Sequence, residues 1–212
     1  MGEGRSENLW TYWQGYQLKD IDQKGVDILL VGLDWGNIDK PENERVFEEI
    51  RKIQNKNKNA RYIAGSPTDE RLQRLFLDSF GVNIMDKVPK YRLFFTNYSL
   101  GYRTGEQSEA GGNSKTLMRL DKEWFEKLVL AIKPKIIKCL GKDTYEMVSG
   151  EKAEGFTNRL KHGKPFKAPF YLQKDIPVYG VSHPGNWGCR NVDGESNMLK
   201  SWQIIAEEFK KM

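Results

Sequence analysis

From residue 26 onward, short apolar runs alternate with amphipathic stretches, and this alternation predicts a repeated strand–helix order. The run VDILLVGL (26–33) is almost continuously apolar, carries β-branched residues, is too short for a helix and ends in glycine-flanked turn residues. It reads as a parallel strand buried on both faces. Residues 92–96 and the runs KIIKCLG and IPVYGVS supply three more strands. Between them, Pro41 opens a helical stretch through Val46, Ile50 and Ile53, and QNKNKNAR reads as a loop or helix end. From Thr68 the residues Leu72, Leu75, Phe76, Ser79 and Phe80 recur at helical spacing. Asp69 and Glu70 stand in the first turn, where the helix dipole favours negative charge. Asp121 is placed to cap a helix whose Trp124, Phe125, Leu128 and Ile132 share a face and which Pro134 stops. A short helix starts at Lys142, and a closing one carries Met198, Trp202, Ile205 and Phe209 on one side. Residues 101–116 form a long Gly- and Ser-rich loop, and the basic, aromatic segment 155–174 reads as a hairpin or extended excursion.

Each strand-to-strand connection contains a helix, so right-handed crossovers in a parallel sheet are the default. The expected fold is one α/β domain over residues 1–212, a three-layer α/β/α arrangement around a four-stranded parallel sheet. Residues 1–25, with Trp10, Tyr12, Trp13 and Tyr16, are expected to pack on it as a lead-in. Composition agrees: 38% of the 212 residues are apolar and 12% aromatic, enough for a substantial core. No apolar run approaches the roughly 18 residues that span a bilayer, and the first residues lack the apolar stretch of a secretory signal. A cytoplasmic protein with no membrane partner is the expectation.

The two cysteines, Cys139 and Cys189, exclude a four-thiolate cluster and point to a reducing compartment. Only His162 and His183 supply imidazole, so neither a zinc site nor any other cofactor is expected. There is no GxSxG elbow, no P-loop and no GxGxxG fingerprint. GGNSKT lacks the second glycine of a Walker loop, and Asp143 stands where a magnesium-binding hydroxyl would follow Gly141 and Lys142. A net charge of +5 permits a polyanionic partner without requiring one.

Three polar residues remain where predicted strands end: Asp34, Asn97 and His183. In an open parallel sheet those ends converge on one crevice. A carboxylate can orient water or stabilise developing positive charge. An imidazole can donate to a leaving anion, and an amide matches a donor–acceptor pair on a heterocycle. Together they suit cleavage of a bond between a sugar and a base.

At this point the order of segments resembles the uracil-DNA glycosylase superfamily. GLDWG (32–36) is similar to its first active-site motif, FFTNYS (94–99) to its second-strand segment ending in asparagine, KPKIIKCLGK (133–142) to its third-strand signature, and SHPGNWGCR (182–190) to its His-Pro motif. The resemblance covers about residues 26–210. It implies that Asp34 orients the attacking water and stabilises the sugar cation, that Asn97 reads the edge of a flipped pyrimidine, and that His183 supports the departing base. Gly32, Leu33 and Gly36 would line the base pocket, and Tyr62 would be the stacking aromatic. Gly36 stands where the strictest uracil enzymes carry a bulky residue against thymine's methyl group, which implies 5-substituted pyrimidines as further substrates. Asn186, Trp187 and Arg190 would enter the duplex and contact its backbone, with Trp187 as the wedge that helps offset base flipping. Lys161 and Lys164, in a basic stretch interleaved with Phe156, Phe166 and Phe170, would track phosphates. The four cysteines of the iron–sulfur branches are missing. The implied protein is a monomeric hydrolase acting on uracil-containing or damaged DNA in base-excision repair.

Each residue also has a plain structural role open to it. Asp34 could cap a helix, Asn97 could satisfy loop backbone, and His183 could be a buried, hydrogen-bonded histidine. The same fold could serve as a non-catalytic DNA-binding module, or act on a free nucleoside or another small molecule.

Overall fold

The computed structural model describes residues 4–5, 12–14, 25–34, 67–84, 86, 90–99, 101–102 and 114–212. Among these, the chain forms β1 (Gly4–Arg5), β2 (Tyr12–Gln14), β3 (Val26–Gly32), α1 (Pro67–Phe80), β4 (Leu93–Asn97), β5 (Gly101–Tyr102) and α2 (Ser114–Ile132). There follow β6 (Pro134–Leu140), α3 (Lys142–Ser149), α4 (Phe156–Lys161), β7 (Phe166–Pro169), β8 (Pro177–Val181), α5 (Asn186–Asn191) and α6 (Glu195–Phe209). The predicted helix from Pro41, the loop QNKNKNAR, the packing of the lead-in aromatics and most of the 101–116 passage lie outside the described residues.

The principal sheet has the order β2–β4–β3–β6–β8–β7. Its centre, β4–β3–β6–β8, is parallel, as apolar runs buried on both faces require. The edges correct the expected purely parallel, four-stranded sheet. β2 pairs antiparallel with β4, and β7 pairs antiparallel with β8, so the sheet is mixed. The second pairing follows from chain length: a short connection from Pro169 to Pro177 can only turn the chain back on itself, and a parallel return needs a dozen or more residues. Segment 155–174 is thus part helix and part hairpin strand.

Helix α1 buries Leu72, Leu75, Phe76, Ser79 and Phe80, the face its spacing predicts. Helix α6 buries Met198, Trp202, Ile205 and Phe209 in the same way, and Phe76 meets Trp202 edge-on at 5.1 Å between ring centroids. Helix α2 departs from the expectation. It begins at Ser114, so Asp121 lies inside it, buried, and accepts a hydrogen bond from Ser99 Oγ at 3.3 Å. Trp124 is 60% exposed, while Phe125 is buried and stacks on Tyr98.

Within β6, Lys138 is completely buried, and among the described residues its Nζ has no hydrogen-bond partner. It sits over the rings of Trp202, Phe80 and Phe76, at 2.9, 4.6 and 5.2 Å from their centroids. Burial drives its pKa well below the ordinary lysine value. Attraction between a desolvated ammonium and an aromatic face is worth about 2 kcal/mol or somewhat more, against a larger cost, several kcal/mol, for stripping the ion of water with no anion to pair with it. The neutral amine therefore prevails. Because the unfolded chain holds this proton to higher pH than the folded one, the cost is full at low pH and is relieved as pH rises toward the unfolded lysine value. Lys138→Met, which keeps the volume and removes the unsatisfied amine, is expected to raise stability at pH 7 by about 1–3 kcal/mol. Urea unfolding at pH 7 and again at higher pH checks this; a gain that does not shrink with rising pH would contradict the burial argument.

Candidate functional site

The ends of the central strands carry the polar residues. Strands β3 and β4 stay hydrogen-bonded beyond their last paired residues, through Tyr98 N–H to Gly32 O (2.9 Å) and Ser99 N–H to Leu33 O (3.0 Å). Gly32 and Asn97 are register partners. A Cβ at Gly32 would collide with Asn97 Oδ1, so the amide lies across the bare glycine backbone, and a larger residue would displace it. Leu33 and Asp34 follow, both half-buried.

His183 leaves the end of β8. Its surface is open to solvent, yet the protein around it disfavours the imidazolium, and burial lowers its pKa. The charge of Asp34 opposes that shift. Because β3 and β8 both run parallel to the intervening β6, their ends lie on one edge of the sheet, and this is consistent with the charge of Asp34 acting on the ring. The Gly185 N–H donates to His183 Nδ1 at 2.9 Å. With Nδ1 accepting, the neutral ring carries its proton on Nε2 and presents a donor there.

The loop that sets this geometry is tight. Ser182 Oγ donates to Gly188 O at 2.7 Å, and Cys189 N–H donates to Gly185 O at 3.0 Å. A Cβ on Gly188 would run into the carbonyl of His183, and one on Gly185 would crowd the imidazole and Thr68 Oγ1 of α1. The residues after His183 form the short helix α5 rather than an open loop. Asn186 and Arg190 are exposed, and Trp187 is 77% exposed with the Arg190 guanidinium 5.8 Å from its ring centroid. Lys161 pairs with Asp193 at 3.2 Å, which places the end of α4 beside the end of α5. Lys164 is exposed on the connection from α4 to β7, and no described contact joins it to the other candidate residues.

The structure thus brings Asp34 and His183 together and sets Asn97 against Gly32. Gly36 and Tyr62 lie outside the described residues, as does the segment that Asp34 would cap. Sequence reasoning missed Gly185, Gly188 and Ser182, although the repeated glycines of HPGNWG signal a backbone that must approach its neighbours closely. It also missed Arg71 of α1, whose side chain reaches the His183 loop. Among the described residues no helix is long and apolar enough to cross a membrane. No protein-family model matches the chain, and no curated protein matches it.

Proposed function

We propose that the protein is a uracil-DNA glycosylase-like hydrolase that cleaves the N-glycosidic bond of uracil or a related pyrimidine in DNA and leaves an abasic site. The observation that carries this reading is the placing of Asp34 and His183 at the same edge of the parallel sheet, with His183 held by the Gly185 N–H as a neutral ring whose Nε2–H can donate. A departing pyrimidine leaves as an anion. A preorganised neutral donor supports that anion without delivering a proton, and in this reading the carboxylate orients water and stabilises the positive charge growing on the sugar. Asn97, laid across Gly32, offers the paired donor and acceptor that a pyrimidine edge requires.

In this reading the α/β domain is of the three-layer type: Lys138 of β6 faces the aromatics of α1 and α6, and because successive strand side chains alternate between faces, the buried Cys139 is turned toward the other layer. Trp187 is the wedge that fills the gap left by an extruded base, with Asn186, Arg190, Lys161 and Lys164 toward the phosphates. Trp187 presents a broadly exposed ring beside an arginine, a face on which a base can stack.

The test is incubation with end-labelled oligonucleotides bearing one uracil, single-stranded and opposite A or G, followed by alkali. Breaks at the uracil are expected. A folded protein that yields none while binding DNA with steep salt dependence would overturn excision and favour the non-catalytic module; turnover of a free nucleoside with little DNA affinity would favour the small-molecule enzyme.

A further inference from the structure

We propose that Arg71 is a positioning residue that fixes the tautomer and orientation of His183 through the single peptide group joining Pro184 to Gly185. Arg71 Nη1 donates to the carbonyl of Pro184, and the N–H at the other end of the same amide, that of Gly185, donates to His183 Nδ1 at 2.9 Å. None of the described peptides is cis, and a trans amide points its C=O and N–H to opposite sides. Guanidinium, amide and imidazole therefore form one relay.

A cation on the carbonyl oxygen draws electron density from the amide and makes its N–H a stronger donor. A donor pressed onto Nδ1 competes directly with protonation there, so the relay favours the neutral ring with its proton on Nε2. That is the form that desolvation by the surrounding protein also favours.

Arg71 is built to hold this place. Its side chain is only 12% exposed, and its remaining donors reach Glu195 Oε2 at 3.2 Å, Asn186 Oδ1 at 3.4 Å and Pro67 O at 3.4 Å. Glu195, at the start of α6, is fixed in turn by Arg74 at 2.8 and 3.1 Å. Hydrogen bonding from Arg74 is the main reason its carboxyl stays below the ordinary glutamate range. Four acceptors arranged around one planar fork suit arginine and cannot all be met by a lysine ammonium. Of the charged groups near the loop, Asp34 at the end of β3 acts on the ring by its charge, Arg71 of α1 acts through the amide, Glu195 of α6 is held by the two arginines, and Arg190 of α5 lies over Trp187.

The effect on the ring is independent of the reaction; its role in catalysis rests on the glycosylase reading. Nitrogen-15 NMR of the two histidine rings distinguishes the states, since His162 is the only other imidazole. In the unaltered protein His183 should show a protonated Nε2 and an unprotonated Nδ1, with a coupling across the hydrogen bond from the Gly185 amide. Absence of that coupling overturns the proposal without recourse to any variant. In Arg71→Lys and Arg71→Gln, the tautomers should mix and the His183 pKa should rise by roughly half a unit to one unit. Glu195→Gln, which leaves the Pro184 contact in place, should change neither. Folded Arg71 variants with a wild-type His183 spectrum and titration would also overturn the proposal. If the wild type excises uracil, kcat should fall in the Arg71 variants with little change in KM; if it does not, the spectra still judge the relay.

Discussion

Asp34→Asn and His183→Ala are each expected to lower uracil excision by about 10²–10³-fold, the usual cost of removing one preorganised electrostatic partner from a transition state. Folding should survive both changes, because His183 is open to solvent and asparagine reproduces the shape of Asp34. The pH dependence follows from the ring. Desolvation by the protein packed around the ring lowers the His183 pKa and the charge of Asp34 raises it, with desolvation the larger effect, so the neutral ring is favoured at pH 7. Activity should therefore hold through neutrality and fall on acidification, as a proton on Nδ1 displaces the Gly185 N–H and leaves an imidazolium in the crevice. In Asp34→Asn the opposing charge is gone, and His183 should titrate at still lower pH. Single-turnover excision and an NMR titration read the two effects separately. Wild-type rates in His183→Ala would remove the imidazole from the reaction, and an upward titration shift in Asp34→Asn would contradict the meeting of β3 with β8.

The central strands and the faces of α1 and α6 were legible because burial is written into them with the right period: near-continuous apolar runs for β3 and β8, and three-and-four spacing from Leu72 to Phe80. That Asp34 and His183 follow strands ending at one edge was legible for the same reason, since a parallel sheet delivers its strand ends to one side. Helix α2 shows what hides an element. Its buried stripe runs Met118, Asp121, Phe125, Val129, Ile132, and the carboxylate in that stripe reads as a cap when it is in fact a core-facing acceptor. Of the edge strands, β2 was missed and β7 was read only as part of a hairpin or extended excursion, because a three- or four-residue strand gains its identity from its partner and carries almost no pattern of its own. Arg71 was invisible for a related reason. On a helix it looks like any solvated charge, and its role exists only once α1, α6 and the His183 loop meet.

Asp27→Ala is expected to cost about 3–5 kcal/mol of stability, the usual penalty for stripping a buried charge of its partner. Asp27 is the second residue of β3, at the end of the sheet opposite the candidate site, and is almost fully buried. Its Oδ2 accepts from the Arg92 backbone N–H at 2.8 Å and from Arg92 Nε at 3.2 Å, and its Oδ1 from Arg92 Nη2 and Lys135 Nζ at 3.0 Å each. The carboxylate thus ties the start of β3 to the approaches of β4 and β6, and sets the register that delivers Gly32 opposite Asn97. Burial by itself would raise its pKa, but the bonds from Arg92 and Lys135 outweigh burial and hold it below the ordinary aspartate value. A carboxyl depressed in the folded state contributes stability that is complete above its unfolded pKa and is lost as pH falls through the folded one. Arg92 carries most of the effect, since Lys135 is 55% exposed and its pairing is screened. Removing Asp27 should therefore lower the urea midpoint at pH 7 and flatten the acid limb of the stability curve. Asp27→Asn, which keeps an acceptor for the Arg92 N–H, should lose less. An alanine variant as stable as the wild type at pH 7 would mean that the pair only balances its own desolvation and that the apolar strands alone hold the register.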